Sequence, residues 1–98
     1  MSDVGAVTMV RFQTSLAEDD LQRIAMERSE LFEEVPGLIN KFYFGDVAGD
    51  GYGAVYLWES LAALAAFRES ELFGTIADAY EIEGSMQVDV GRVVASLR

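Results

Sequence analysis

The sequence contains no cysteine and no histidine, and these two absences exclude a large part of enzyme chemistry. Without cysteine there are no disulfides, thiolate nucleophiles or zinc-thiolate sites. Without histidine the commonest general base and the commonest metal and haem ligand are missing. A Ser-His-Asp triad cannot be built, and a metal site would need oxygen ligands alone. We therefore expect no metal and no cofactor.

Proline and basic residues are also scarce. One proline, with no repeat and no low-complexity segment in 98 residues, predicts one folded domain over residues 1–98. Seven Lys and Arg against 17 Asp and Glu give a formal net charge of -10. Because that charge repels both the phosphates of nucleic acid and anionic lipid surfaces, we expect neither as a partner.

Long hydrophobic runs are absent as well. None approaches the roughly 20 residues of a transmembrane helix. The segment MSDVGAVTMV has neither the basic region nor the long apolar region of a signal peptide, so a cytoplasmic location is expected. The residues are nevertheless 51% hydrophobic, with a mean hydropathy of +0.17, which in so short a chain predicts apolar surface for a partner chain.

Hydrophobic periodicity predicts four strands and two helical regions. The strands are expected over 4–14, 38–45, 53–59 and 85–96, with 46–52 as a hairpin loop and Gly91 as a candidate β-bulge. Residues 18–34 are expected as one amphipathic helix, capped by Ser15 with Glu18 and closed by Pro36-Gly37. Ser60 and Ser70 are expected to cap a second helical region that is either one kinked helix or two.

This order of elements predicts an α+β, ferredoxin-like βαββαβ fold with an antiparallel sheet and its helices on one face. In the third strand Val55 and Leu57 alternate with Tyr56 and Trp58, so both faces of the sheet carry apolar side chains. A second copy of the sheet is the simplest cover for the face without helices. We therefore expect a homodimer.

Two segments carry a family resemblance, PGLINKFYFGD and GYGAVYLWESLAALAAFRESELF, and Trp58-Glu59-Ser60 is its most specific part. The chain resembles the dimeric α-β barrel superfamily, and within it the antibiotic-biosynthesis-monooxygenase-like proteins, nearest to the YdhR-like group. The resemblance implies a homodimer in which two four-stranded sheets form a barrel, with a ligand cleft in each protomer between sheet and helices. Members of the superfamily include cofactor-independent oxygenases of polyphenols, haem-degrading enzymes and isomerases, so the fold does not determine the activity.

The haem-degrading members have a motif that can be compared residue by residue. It consists of an Asn on the first strand, a Trp at the end of the third strand and a haem-ligating His on the following helix. Here Trp58 is present, but Val10 stands at the Asn position and Ala77 at the His position. Haem degradation of that kind is therefore not expected.

The function we expect is that of a cofactor-independent mono-oxygenase acting on a small aromatic or quinone-like compound in the cleft between sheet and helices. For such chemistry the protein contributes an apolar cavity and hydrogen bonds to a developing oxyanion, with or without a proton acceptor. Five residues are candidates for the substrate pocket: Trp58, Asn40, Tyr56, Phe67 and Tyr80. The alternative is a non-catalytic dimeric module that binds a small ligand or is purely structural.

Several of these residues also have a purely structural interpretation. Trp58 is equally well explained as a core residue between sheet and helix. Asn40 is either an edge residue or a site residue, and Tyr43 is an ordinary strand residue. Lys41 is expected to be solvated or to extend its amine to solvent. Arg92 would pair with a carboxylate at the dimer interface or bind an anionic substrate.

Overall fold

The computed structural model describes residues 3–47 and 51–97, which form one antiparallel sheet with helices packed on one of its faces. The strands are β1 Ala6–Thr14, β2 Leu38–Gly45, β3 Tyr52–Trp58 and β4 Ile82–Arg92, in the spatial order β2-β3-β1-β4. The helices are α1 Glu18–Glu27, α2 Ser29–Glu33, α3 Leu61–Arg68, α4 Glu71–Gly74 and α5 Ile76–Ala79. This arrangement confirms the α+β, ferredoxin-like fold expected from the sequence.

The first helical region differs from the prediction of one continuous helix. α1 ends at Glu27 and α2 begins at Ser29, whose hydroxyl donates to the carbonyl of Met26 at 2.9 Å. A serine hydroxyl that bonds the preceding turn competes with the helical ladder, and the helix breaks there. The predicted cap is also wrong, because the N-cap position is Ala17, without a side-chain cap, and not Ser15.

The second helical region follows the predicted caps but is divided further. The hydroxyl of Ser60 accepts from the backbone N–H of Ala63 at 3.1 Å, and that of Ser70 accepts from Phe73 at 3.2 Å. Both predicted N-caps are therefore confirmed. The region forms three short helices, α3, α4 and α5, where one kinked helix or two were expected.

Strand β2 has the predicted bounds, whereas β4 runs from residue 82 to 92 instead of 85 to 96. Residues 48–50 of the predicted hairpin loop lie outside the described part of the chain. The prediction of a bulge at Gly91 is wrong, since Gly91 pairs regularly with Val7. The irregular pairing lies between Arg11 and Gln13, opposite the segment that contains Gly84 with a φ of +70°.

The two faces of the sheet are both apolar, as the alternation in β3 predicted. Tyr56 and Trp58 are buried under the helices, while Val55 and Leu57 are half-buried on the other side. Strand pairing aligns further apolar residues with Val55 and Leu57. We call this surface the open sheet face; its apolar members are Val7, Met9, Phe42, Phe44, Val55 and Leu57.

Candidate active site

Three of the five predicted pocket residues pack tightly together on the helix side of the sheet. The rings of Tyr56 and Trp58 are stacked, with centres 5.9 Å apart and planes 7° apart, and Phe67 lies 5.3 and 5.2 Å from them. Trp58 is fully buried, and its Nε1–H donates to the buried hydroxyl of Thr8 at 3.0 Å. These contacts are those of a close-packed core with satisfied polar groups.

Asn40, the fourth predicted residue, lies on the open sheet face. The β2–β3 pairing shifts by one residue between Leu38 and Asn40, so that Leu38 stands opposite Trp58 but Asn40 stands opposite Leu57. Without this shift, strict alternation would place Asn40 on the same face as Leu38. The extra residue instead turns Lys41 toward the helices, opposite Tyr56.

Lys41 is enclosed by aromatic rings, so the expectation of a solvated side chain is wrong. Its Nζ lies 3.3 Å from the ring centre of Phe32, 4.5 Å from that of Tyr43 and 4.6 Å from that of Tyr56. The amine is buried and has no hydrogen-bond partner among the described residues. Burial, together with the positive charge of Arg28, lowers the pKa of Lys41 from 10.5 to about 7. A substantial fraction of this amine is therefore neutral at neutral pH.

Arg28 is a second cation in the same place, and the sequence analysis missed it. It occupies the break between α1 and α2, where its Nη2 donates to the hydroxyl of Thr75 at 2.9 Å. Its Nε is buried and has no partner in the described structure, and its Cζ lies 5.9 Å from the ring centres of Phe32 and Tyr80. The signal was in the sequence, because Arg28 follows Leu21 by seven residues and so lies on the apolar face of the helix.

Tyr80, the fifth predicted residue, adjoins Lys41 through Tyr43. The hydroxyls of Tyr80 and Tyr43 share a hydrogen bond of 2.8 Å, and their ring centres are 5.6 Å apart. Burial raises the pKa values of Tyr43, Tyr56 and Tyr80, so all three remain protonated at neutral pH. We call the group around the ring of Phe32 the cation–tyrosine cluster; it comprises Arg28, Lys41, Tyr43, Tyr56 and Tyr80.

An open groove of about 340 Å³ leads to this cluster between α1 and strands β2 and β3. Phe12, Leu21, Met26 and Tyr52 contribute to its largely apolar walls, and Tyr43 belongs both to the groove and to the cluster. Trp58 and Phe67 are not among the lining residues. The accessible space therefore adjoins Tyr43, with Tyr80 buried behind it, and the core around Trp58 stands apart from the groove.

Known proteins are similar to this chain in structure. No family model and no curated protein matches the sequence. SnoaB, a cofactor-independent oxygenase from Streptomyces nogalater, is 14% identical, with a TM-score of 0.73 over 97% of this chain and 98% of that one. The ActVA-Orf6 monooxygenase of Streptomyces coelicolor, in complex with nanaomycin D, is 20% identical, with a TM-score of 0.69 over 97% and 92%.

A third structure, from Bordetella bronchiseptica, is named as a candidate antibiotic biosynthesis monooxygenase. It is 17% identical, with a TM-score of 0.75 over 95% of this chain and 100% of that one. The chain has the same fold as these three structures. The resemblance inferred from PGLINKFYFGD and Trp58-Glu59-Ser60 is thus confirmed at the level of the fold.

Elsewhere in this fold, the described residues offer few sites for other chemistry. No group of three or more acidic side chains in 3–47 and 51–97 is arranged to hold a metal ion. None of the described helices is long and apolar enough to cross a membrane. Arg92 pairs with Ala6 across β1 and β4, on the helix side of the sheet, and its side chain is exposed. The cation–tyrosine cluster is therefore the candidate active site.

Proposed function

We propose that the protein is a cofactor-independent mono-oxygenase that acts on a small aromatic or quinone-like compound, bound in the groove between α1 and the sheet. The observation that carries this proposal is Lys41, an amine buried against Phe32 and separated from the groove by the ring of Tyr43. The sequence has no histidine to serve as a base. Lys41, whose pKa is about 7, takes the place of histidine as the base.

Lys41 begins the reaction by accepting a proton from the substrate hydroxyl or from an activated methylene group. Proton transfer is efficient when the pKa of the acceptor is close to the working pH, and burial has brought this amine to that range. The resulting ammonium stays beside the substrate anion and stabilises it electrostatically. The aromatic walls supply the stacking surface for a planar ring.

The substrate anion then reacts with molecular oxygen directly. One electron passes to oxygen, the resulting radical pair couples to form a C–O bond, and the ammonium of Lys41 returns its proton to give a hydroperoxide. Loss of the remaining C–H proton and cleavage of the O–O bond give a carbonyl and water. For a methylene substrate the reaction thus balances as one methylene group and one dioxygen molecule giving one carbonyl group and one water molecule, so one oxygen atom enters the product.

Tyr43 acts as a hydrogen-bond donor in this scheme. The hydroxyl of Tyr80 donates to that of Tyr43 at 2.8 Å, which leaves the O–H of Tyr43 free for a substrate oxygen. The raised pKa of Tyr43 keeps its hydroxyl protonated, so it donates to the substrate rather than removes a proton from it. Tyr43 stands where the groove meets the cluster and is 37% exposed. Its hydroxyl is therefore the donor nearest to a ligand in the groove.

The test is oxygen consumption by the purified protein in metal-free buffer with a panel of hydroquinones and anthrones. We expect uptake with at least one of them, and incorporation of one atom of oxygen-18 into the product. The rate should rise with an apparent pKa near 7 and fall strongly in Lys41→Met. Arg23→Met is the matched control, because it removes an equal charge from an exposed position of α1 that is paired with Glu27.

A non-catalytic, ligand-binding or structural module is the second candidate. The close packing of Trp58, Tyr56 and Phe67 favours it, since these residues need no ligand to fill their surroundings. The absence of oxygen uptake across the panel, together with saturable binding of an anthraquinone, would support this module. Oxygen uptake that is unchanged in Lys41→Met would remove the base from the mechanism.

We also propose that the protein forms a homodimer through the open sheet face. The chain has 6535 Å² of accessible surface, whereas about 5,500 Å² is usual for a folded monomer of its mass. The difference is close to the roughly 800 Å² that each partner loses in an ordinary interface. The open sheet face carries the apolar side chains that such an interface needs. A cytoplasmic location remains a prediction.

A further inference from the structure

Two buried nitrogen atoms of the cation–tyrosine cluster lack hydrogen-bond partners in the described structure. They are Nζ of Lys41 and Nε of Arg28, and both side chains border the ring of Phe32. A buried donor without an acceptor is costly to the folded state and uncommon in proteins. Here two side chains of one site each have such a nitrogen, and no described group accepts a hydrogen bond from either of these two atoms.

Arg28 and Lys41 differ from the other basic side chains of the described residues in having a buried nitrogen without a partner, whereas Arg68 and Arg92, which also form no ion pair, are exposed. Arg11 is paired with Asp46, and Arg23 with Asp20 and Glu27. The chain has 17 acidic residues, yet none of the ion pairs in the described ranges involves Arg28 or Lys41. A protein with a net charge of -10 thus holds a guanidinium and a basic amine together inside its helix–sheet layer without a carboxylate partner.

The groups that face the two cations from the surrounding elements are neutral. Phe32 comes from α2, Tyr43 from β2 and Tyr56 from β3, while Thr75 and Tyr80 lie at the two ends of α5. The cation–π contacts compensate part of the positive charge, and the hydroxyls of Thr75 and Tyr80 form hydrogen bonds with Arg28, but Nζ of Lys41 and Nε of Arg28 have no acceptor among the described residues. The cluster is therefore rich in donors, and its complement is an anionic oxygen.

The groove provides the entry for a ligand that carries such an oxygen. Tyr43 separates the groove from Lys41, whose Nζ is 4.5 Å from the centre of the Tyr43 ring. Tyr43 lies on the edge strand β2, and its hydroxyl is tied by one hydrogen bond to Tyr80. The ring of Tyr43, which also contacts Tyr80 and Lys41, is therefore the side chain that lies between a ligand in the groove and the amine.

We infer that Arg28 and Lys41 together bind one ionised oxygen of a planar aromatic ligand, whose ring lies in the groove against Tyr43. The ligand class is thus an aromatic anion, and its negative oxygen belongs either to a carboxylate or to an acidic phenol. This inference rests on the proposed function for the location of the substrate site. The inference specifies that the substrate carries a negative charge, and it assigns Arg28 a role in binding that substrate.

The test measures equilibrium binding of compounds that are not oxidised, so that it does not depend on turnover. One pair of probes is 2-naphthoate and 2-naphthamide, and the other is 4-nitro-1-naphtholate and its methyl ether. Each pair differs in charge while the aromatic ring system stays the same. Affinities are determined by isothermal titration calorimetry at pH 7 with the wild type, Lys41→Met, Arg28→Met and the control Arg23→Met.

We expect the wild type and Arg23→Met to bind at least one anion about tenfold to a hundredfold more tightly than its neutral partner, the range for one charged hydrogen bond. The preference should fall to near unity in Lys41→Met and Arg28→Met, while affinity for the neutral probe stays within about threefold. If Arg28→Met does not fold, Arg28→Lys keeps the charge, removes Nε and should lose part of the preference. The pair that shows the preference identifies a carboxylate or a phenolate as the source.

Equal affinity for anion and neutral partner in the wild type would overturn the inference, and so would an unchanged preference in the two variants. The inference would also be overturned if the wild type bound none of the four probes. These results are distinct from those for the proposed function. Anion preference without oxygen uptake would support the inference and contradict the oxygenase proposal. Oxygen uptake with neutral substrates alone would support the oxygenase proposal and contradict the inference.

Discussion

One extra residue in β2 decides which polar side chain reaches the helix side of the sheet. The shift between Leu38 and Asn40 turns Asn40 to the open sheet face and Lys41 to the interior. Residue 39 carries no sequence signal for such a bulge, because isoleucine is an ordinary strand residue. Hydrophobic patterning alone therefore assigned Lys41 to solvent, and only the observed register places the amine against Phe32.

The titration of Lys41 should be visible in the stability of the protein. Its pKa is about 7 in the folded state and 10.5 when unfolded, so between these values the unfolded state binds more protons. The free energy of unfolding should therefore increase with pH, by about 2 kcal/mol from pH 7 to pH 9. Tyr43, Tyr56 and Tyr80 have raised pKa values, so their effect begins only near pH 10 and has the opposite sign.

Urea denaturation followed by the fluorescence of Trp58, the only tryptophan, measures this dependence. Lys41→Met keeps the aliphatic stem and should lose the increase, whereas the α-amino group titrates equally in both proteins. Because Lys41 is the only lysine in the sequence, selective 13C labelling gives one side-chain resonance that reports its pKa directly. A measured value near 10.5 would contradict both the burial of the charge and its proposed role as a base.

Trp58 should behave as a core residue. In Trp58→Phe the hydroxyl of Thr8 loses the indole N–H, and the smaller ring leaves a gap beside Tyr56 and Phe67. We expect a loss of about 2 to 4 kcal/mol in the free energy of unfolding, with affinity for a groove ligand unchanged below the melting temperature.

A double-mutant cycle with Thr8→Val separates the two contributions. Thr8→Val alone leaves the indole N–H buried without an acceptor, and the double variant should lose less stability than the sum of the single variants. Weaker ligand binding by Trp58→Phe at unchanged stability would instead place the pocket beside this residue, as the family resemblance first suggested.

At the scale of the elements, the sequence predicted those strand bounds and helix caps that depend on interactions between neighbouring residues. The strand bounds 38–45 and the caps at Ser60 and Ser70 follow from side-chain type and neighbouring sequence, and the structure has them. The break at residue 28 and the division of the helical segment after Ser70 into α4 and α5 were not predicted. These depend on which backbone groups a serine or threonine hydroxyl bonds, and several such patterns are compatible with one sequence.

The two serine caps that the sequence suggested can be compared directly. Ser60→Ala removes the acceptor for the N–H of Ala63 at the first turn of α3, so we expect a loss of about 1 kcal/mol. Ser15→Ala is the matched control, because the N-cap of α1 is Ala17 without a side-chain cap, and its effect should be below about 0.5 kcal/mol. Chemical denaturation of both variants measures the difference, and equal losses would restore Ser15 as a cap.

At the scale of the whole molecule, the sheet is covered on one face only. The helices bury Trp58 and Tyr56, while the open sheet face leaves Val55 and Leu57 half-buried and Phe42 49% exposed. The alternation of β3 was enough to predict this division from the sequence. The position of the groove was not predictable in the same way, because it depends on how α1 lies across β2 and β3.

The homodimer prediction can be tested with two substitutions that introduce an aspartate in place of an apolar side chain of nearly equal exposure. Phe42 on the open sheet face is 49% exposed, and Leu61 at the start of α3 is 48% exposed. An aspartate at position 42 would place a charge without a partner in the proposed interface, where its desolvation is costly. At position 61 it lies in the first turn of a helix, where a negative charge is favourable.

We therefore expect the wild type and Leu61→Asp to sediment as dimers at micromolar concentration and Phe42→Asp as a folded monomer. Circular dichroism checks that each variant is folded, and a wild type that sediments as a monomer, or a Phe42→Asp variant that remains a dimer, would show that the open sheet face is not the interface.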